Sequence, residues 1–369
     1  SNVERMTRNT RHFEIPAETG RTEVDREVIA RTLIGLMNNA NVGGIVLLAV
    51  KSGAGSAYKN MCAERFEEEA RKTGKPLRIV YLTNVGGSYN MLGETLRLTR
   101  EVLLEVSDFR RENCPLSALT LGVKCGTSDA TSGIAGNPCV GAAFDQLIRA
   151  GGTAFFSETT EIIGAEDLVA KRAVNESVAK KILSAARHWE DKAKATGEDI
   201  RKINPIPANI AAGISSLEEK SLGAIAKSGT SPIQDVLKYA EMPKGSGLYF
   251  VDSWMSSLSL PLCLTACGAT IMLYQMGGGK IAQHPMMPSI NPTVVSPFLY
   301  LTGNAVAYSR APDNFDFDAS SIMTEGASIP EMGTKLLEHL SAIASGTMTK
   351  METLNYAEQL ELYMEGPVL

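Results

Sequence analysis

Leu119-Thr120-Leu121-Gly122-Val123-Lys124-Cys125-Gly126-Thr127-Ser128-Asp129-Ala130-Thr131-Ser132-Gly133, running on to Asn137-Pro138, is the stretch on which the fold turns. Leu119 to Val123 is a short run with the look of a strand. Polar and small residues follow, and then a helix is expected over Pro138 to Ala150. Asn137 suits a helix cap and Pro138 its first turn. Thr153 to Ser157 is the next strand, so the segment reads strand, loop, helix, strand. A second strand reached through a crossover helix lies parallel to the first.

Working outward, the same alternation recurs. Thr22 to Met37 carries Val24, Val28, Ile29, Leu33, Leu36 and Met37 at helical spacing. Gly43-Gly44 stops that helix, and Ile45 to Val50 is a continuous apolar run, the mark of a strand covered on both faces. Tyr58 to Lys72 reads as a charged helix, Leu77 to Leu82 as a strand, and Gly86-Gly87-Ser88 opens a helix through about Val106. Cys114-Pro115 looks like a boundary. Beyond the central stretch, Leu168 to Ala195 is mostly helical. Ser216 to Ala226 is a short helix with Glu219 at capping-box spacing. Leu248 to Val251 and Thr270 to Tyr274 are strands, the second followed by Gly277-Gly278-Gly279. The expected architecture is α/β, in two lobes with mainly parallel, doubly wound (Rossmann-like) sheets. The division is an N-terminal domain over 1–115 and a C-terminal catalytic domain over 116–369.

Composition bounds the function. The chain has 369 residues, 44% hydrophobic and 21% charged, with a formal net charge of −5. Such a balance is ordinary for a globular protein. No Lys/Arg stripe argues for nucleic acid, and no apolar run is long enough to span a membrane. The N-terminus lacks the apolar core of a signal peptide. The six cysteines form no dense framework, so a reducing cytoplasm is expected. Cys263 and Cys267 read as core.

Several loops are candidates for chemistry. In parallel sheets ligands bind beyond the carboxyl ends of the strands. The 124–133 loop lies there, before a helix N-terminus whose free N–H groups attract anions. Its hydroxyls can bind a carboxylate and Lys124 adds charge, although the same residues also read as a turn capping its own backbone. Ser157-Glu158-Thr159-Thr160-Glu161, with Glu166 beyond, places carboxylates directly after a strand. They could ligate a hard divalent ion or act as a general base, or merely favour a helix start. Asn204-Pro205-Ile206-Pro207-Ala208-Asn209 is a rigid loop that can present Asn209, and it leads on to Gly213 and Lys220. Asp252-Ser253 closes a strand. Gly277-Gly278-Gly279-Lys280 admits close approach, with Lys280 suited to an anion. Of the histidines at 12, 188, 284 and 339, none pairs at ligand spacing, and His284 stands nearest a candidate loop.

These loops together resemble the altronate/galactarate dehydratase family, which also contains the large subunit of sulfolactate sulfo-lyase. The matching motifs run in order over roughly residues 30–369. They are K-C-G-T-S-D at 124–129, S-G-x-x-x-N-P at 132–138, G-G-T at 151–153, S-E-T-x-E-x-x-G-A-E at 157–166 and N-P-x-P-x-N at 204–209. E-K-S-L-G-A at 219–224 and G-L-x-F-x-D at 247–252 continue the series. The resemblance implies a lyase that removes the proton beside a carboxylate and expels a 3-hydroxyl, giving a 2-keto acid. It implies dependence on a divalent metal, Fe(II) or similar, with ligands unassigned. Glu158, Glu161 and Lys124 are the expected catalytic set. Cys125, Ser128, Asp129, Ser132, Asn137, Asn209, Asp252 and Lys280 are expected to bind the substrate, and all of these but Lys280, together with Glu158 and Glu161, to converge on one cleft.

Departures from the pattern bear on the substrate. Sugar-acid enzymes of the family usually show S-D-G-[YF]-S-G, but this chain has Ser128-Asp129-Ala130-Thr131-Ser132-Gly133. Their D-T-P-G is here Asp252-Ser253-Trp254-Met255, and both changes lean toward the sulfo-lyase. T-T-G-R-G-S is here Gln275-Met276-Gly277-Gly278-Gly279-Lys280, and P-x-I-K is Pro288-Ser289-Ile290-Asn291, so an arginine and a lysine are lost. Lys280 is placed to replace the charge. The family's opening strand segment and its small metal-associated domain have no counterpart, which implies a short companion subunit. A homo-oligomer is also expected. Three readings remain open: a sugar-acid dehydratase, a (2R)-sulfolactate sulfo-lyase subunit, and a catalytically weakened paralogue that binds an acid or scaffolds a partner.

Overall fold

The structure, a computed structural model, describes residues 2–14, 21–50, 62–278, 291–354 and 361–366. Its strands form two sheets. The smaller pairs β1 (Ile45–Ala49) with β2 (Leu77–Tyr81), in parallel. The helices Ala63–Thr73 and Ser88–Val106 pack on it. Gly44 is needed there because a Cβ would lie 2.4 Å from Val102 Cγ1.

The larger sheet has seven strands, all parallel, in the order β5-β6-β4-β3-β7-β8-β9. They are β3 (Thr120–Gly126), β4 (Thr153–Phe156), β5 (Ile233–Leu237), β6 (Gly247–Val251), β7 (Ile271–Met276), β8 (Phe298–Thr302) and β9 (Phe317–Asp318). Every residue of β4, β6, β7 and β8 is buried. Burial on both faces explains why these strands are apolar runs rather than alternating ones.

Helices cover both faces. On one face Phe144, Leu147, Ile182, Leu336 and Leu340 join Leu121, Val123, Leu273 and Leu301 in one core; they come from helices Asn137–Arg149, Glu176–Ala195 and Ile329–Ala344. On the other face Val28, Leu36, Leu260 and Leu264 pack on Tyr249, Met272 and Tyr300. They come from Glu23–Asn38 and Ser259–Ala266. These two helices approach closely at Gly35, where a Cβ would sit 2.1 Å from the carbonyl oxygen of Ala266. So the helix that precedes β1 in sequence packs against the larger sheet. Cys263 and Cys267 are fully buried in this second core, as expected of them.

Some local readings change. The 168–195 stretch is two helices, Glu166–Ala170 and Glu176–Ala195, and the first expected charged helix spans Ala63–Thr73. Asn137 does not cap its helix. A wide turn over Ser132–Gly136 leads straight into it, and Asn137 Nδ2 donates instead to the carbonyl of Gly223 at 2.9 Å. Ser216 does cap the Leu217–Ile225 helix, accepting from Glu219 N at 3.2 Å, while the Glu219 carboxylate reaches back to Ser215 N at 2.7 Å. Gly279, Lys280, His284 and Pro288 lie outside the described residues.

The chain runs from β3 to β4 on one side of the sheet and later returns to β7 on the other side of β3. That makes the β3/β7 junction a reversal of strand order, the place where a parallel sheet opens a crevice at its carboxyl edge.

Candidate functional site

Cys125 is near the end of β3, beside that reversal. Glu158 follows β4 in a left-handed conformation (φ 71°, ψ 62°). Glycine adopts this backbone far more readily than glutamate, and here it turns the carboxylate back toward β3. Glu158 Oε2 accepts from Cys125 N at 3.0 Å and lies 3.3 Å from Cys125 Sγ. The one-turn 3-10 helix Thr159–Glu161 then brings Glu161 Oε2 to 3.3 Å from the same sulfur.

Three lysines close on these carboxylates. Lys124 Nζ is 3.2 Å from Glu158 Oε1 and 5.2 Å from the centre of the Tyr274 ring. Lys227, from the short turn after the Leu217–Ile225 helix, pairs with Glu158 Oε2 and lies 3.1 Å from Cys125 Sγ. Lys220 Nζ is 2.9 Å from Glu161 Oε1 and donates to Asn204 Oδ1 at 2.7 Å. All six side chains are buried, Glu158 completely. With the thiol neutral, three ammonium groups face two carboxylates, so the centre carries one excess positive charge.

Burial alone would raise the Glu158 carboxyl, but the Lys227 and Lys124 charges and the hydrogen bonds from Lys227 and Cys125 N outweigh it and hold it down at about 2. Burial opposes charge on Lys227 as well, yet Cys125, Glu158 and Glu161 push it above the usual lysine range. Burial, reinforced by Glu158, pushes the Cys125 thiol well up. At neutral pH Glu158 is therefore an anion, Lys227 a cation and Cys125 a thiol.

Around this centre the other sequence candidates take different parts. Asp129 ties three loops together. Its Oδ1 accepts from Thr131 Oγ1 at 2.6 Å and Ser132 N at 3.1 Å, and its Oδ2 accepts from Gly278 N at 2.5 Å and Asn304 Nδ2 at 3.0 Å. The loops after β3, β7 and β8 are thereby fixed at the crevice. Ser132 Oγ accepts from Asp129 N at 3.2 Å. Asn209 Nδ2 donates to the carbonyl of Ser128 at 2.8 Å. Asp252 stands behind the carboxylate turn: its Oδ1 accepts from Thr159 Oγ1 at 2.8 Å and from Trp189 Nε1 at 2.9 Å. The structure thus brings Lys124, Cys125, Glu158 and Glu161 into direct contact, and it gives Asp129, Asn209 and Asp252 loop-holding contacts.

The sequence pattern does not single out Lys227, and it gives Lys220 only as the end of a loop. The one signal is that Lys227 directly follows the small and apolar run Leu222-Gly223-Ala224-Ile225-Ala226. A groove of about 830 Å³ lies elsewhere. It runs between the Glu176–Ala195 helix and β5, past Lys181, Lys238 and Tyr249 to Asp252. Its Lys181 and Asp235 already pair at 2.6 Å.

Residues 116–367 match the family described as D-galactarate/altronate dehydratase, C-terminal. The chain belongs to that family. Among members, the (2R)-sulfolactate sulfo-lyase subunit beta of Chromohalobacter salexigens is 31% identical over 93% of this chain and 85% of its own length. The galactarate dehydratase (L-threo-forming) of Escherichia coli is 31% identical over 92% of the chain, and the altronate dehydratase of Bacillus subtilis 30% identical over 94%. The chain spans 63% and 65% of the lengths of these two dehydratases, under two thirds of each. Members of the family are lyases by name, and the alignments with all three run through the buried centre.

Cys125, Glu158 and Glu161 also form a group whose ligand atoms lie within 4.8 Å of one another, and such a set could hold a metal ion. A thiolate with carboxylates mixes soft and hard donors and does not single out one metal. In the packing seen, Lys124, Lys227 and Lys220 already occupy the carboxylate oxygens. Metal entry would therefore need the Cys125 proton to leave and at least one ammonium to move.

Proposed function

We propose that this centre eliminates a leaving group from a small 2-hydroxy acid, as a hydro-lyase acting on a sugar acid. The observation that supports the reading most is the buried cluster of Lys124, Lys220 and Lys227 around Glu158 and Glu161, with its excess positive charge. A carbon acid beside a carboxylate loses its proton only if the dianion that forms is stabilised by cations or aimed donors. Ammonium groups held in a dry site do this strongly, because little water screens them.

The two carboxylates divide the work. Glu158 is locked by Lys227, Lys124 and Cys125 N and held far below the usual range, which makes it a poor base. It holds the lysines in place. Glu161 is the base: one oxygen accepts from Lys220 and the other meets only the Cys125 thiol. It takes the proton from C2, the electron pair forms the C2–C3 double bond, and the 3-hydroxyl leaves with a proton from Lys220. The products are water and an enol that becomes a 2-keto acid. A divalent ion held by Cys125, Glu158 and Glu161 would supply further charge stabilisation for the enolate oxygens.

A second reading is sulfolactate cleavage, favoured by the 85% of the sulfo-lyase subunit that the chain covers. The same proton abstraction would then expel sulfite. That relative is by name a subunit, so a separate partner chain is proposed with it. The intact buried centre argues against a weakened paralogue. A cytoplasmic location is part of the proposal; all six cysteines are free thiols. The test is a screen of the protein, alone and with Fe(II), against altronate, galactarate and sulfolactate. A 2-keto acid from either sugar acid supports the first reading, and sulfite release supports the second. Neither product, with a companion subunit also present, would refute elimination.

A further inference from the structure

Gln275 is fully buried near the end of β7, and among the described residues neither its Oε1 nor its Nε2 has a hydrogen-bond partner. Two more amides share this state in part: Asn137 Oδ1 and Asn204 Nδ2 are buried and unpartnered. Buried amide atoms without partners are rare and costly, so three of them in one region call for an explanation.

They ring the buried centre. Gln275 is in register with Cys125 on the neighbouring strand, so both side chains project from the same face of the sheet. Gly136 packs on the Gln275 amide, where a Cβ would lie 2.3 Å from Nε2, and Asn137 is the next residue. The other end of the Asn137 amide is fixed on the Gly223 carbonyl. Gly223 stands one turn from Lys220 on the same helix face. Lys220 in turn joins Glu161 to Asn204. The circuit therefore closes from Cys125 through Glu161, Lys220 and Asn137 to Gln275.

We propose that Gln275, with Asn137 and Asn204, is the part of the site that reads the hydroxyl groups of a polyhydroxylated acid. The inference rests on the elimination reading above and deepens it. A hydroxyl both donates and accepts. The unspent capacity here is of both kinds: acceptors on Gln275 Oε1 and Asn137 Oδ1, donors on Gln275 Nε2 and Asn204 Nδ2. A carboxylate or sulfonate only accepts and would leave the two amide oxygens unmet. The lysines serve the acid group, and the amides serve the rest of the chain of carbons. Both are recessed at the strand-order reversal, where the crevice forms.

The test compares binding of galactarate and malate by calorimetry to the wild type and to Gln275→Leu. Both acids are 2-hydroxy dicarboxylates, and galactarate adds three hydroxyls on a chain two carbons longer. Leucine keeps comparable bulk and removes both polar atoms. The expected result is a loss of roughly tenfold or more in galactarate affinity, with malate changed about twofold or less. Thermal unfolding should be unchanged or shifted upward, because an orphaned buried amide is removed. Equal loss for both acids would mean general damage and would overturn the assignment. Retained preference for galactarate, with raised stability, would mean a water-filled void and would also overturn it. If the wild type binds neither acid, this inference is overturned, while the product screen on altronate, galactarate and sulfolactate decides the elimination reading separately.

Discussion

Replacing Lys227 with methionine removes the cation on Glu158 Oε2 while keeping an unbranched chain of similar length in a fully buried position. Glu158 then keeps the Cys125 N–H at 3.0 Å and Lys124 at 3.2 Å. It loses its charged partner on Oε2 in a site with no water contact. Breaking a buried pair by removing one partner costs about 3–5 kcal/mol, mostly from the uncompensated charge left behind. The surviving contacts put this case at the low end, about 3 kcal/mol. If that charge is the source of the loss, neutralising it as well should return part of the stability. Urea unfolding at pH 7 of the wild type, Lys227→Met and the double variant Lys227→Met/Glu158→Gln measures this. The double variant should be more stable than the single by at least about 1 kcal/mol, a coupling expected of contacting residues. A single-variant loss under about 1 kcal/mol, the value of an exposed pair, would refute the reasoning. So would a double variant less stable than the single.

Two further expectations concern stability. Glu158 is held at about 2, below its ordinary 4.5, so its stabilising contribution is complete above pH 4.5 and is lost as pH falls from there through 2. The contribution is on the order of 3 kcal/mol; urea midpoints measured from pH 5 downward should fall more steeply for the wild type than for Glu158→Gln, and parallel slopes would contradict the assignment. Gly35→Ala should destabilise by roughly 1–3 kcal/mol through overpacking, because its Cβ would meet the Ala266 carbonyl oxygen at 2.1 Å; an unchanged urea midpoint would show that the two helices shift apart freely.

Gly247–Val251 is legible as a strand buried on both faces, and Ile45–Ala49 is an equally apolar run although its Leu48 is exposed, so the expected cover on both faces is not found there. Such strands are uninterrupted apolar runs. Ile233–Leu237 escaped notice because it is an edge strand whose Gln234 and Asp235 break the run. Phe298–Thr302 is equally apolar and directly follows Pro297. The Ile329–Ala344 helix is marked in the sequence by its Ser328 cap and by Pro330 in its first turn.

At the site, the rule that ligands gather at strand ends found Cys125 and Glu158, which directly end or follow β3 and β4. It could not find Lys227. That lysine arrives from a turn 102 residues from Cys125, and only tertiary packing tells a buried lysine from a solvated one. Nor does the sequence show that Asp129, a substrate-binding candidate, also accepts from Thr131, Ser132, Gly278 and Asn304 on the loops it ties together.

The central claim is that Glu161, held by Lys220 beside Cys125, removes the proton from C2 of a 2-hydroxy acid. Turnover of Glu161→Gln on the best substrate from the screen, alongside its thermal unfolding, tests it most directly. The account predicts a loss on the order of a hundredfold or more, typical of deleting a general base, together with a lowered unfolding temperature, because the buried Lys220 loses its charged partner. Wild-type turnover in Glu161→Gln would contradict it.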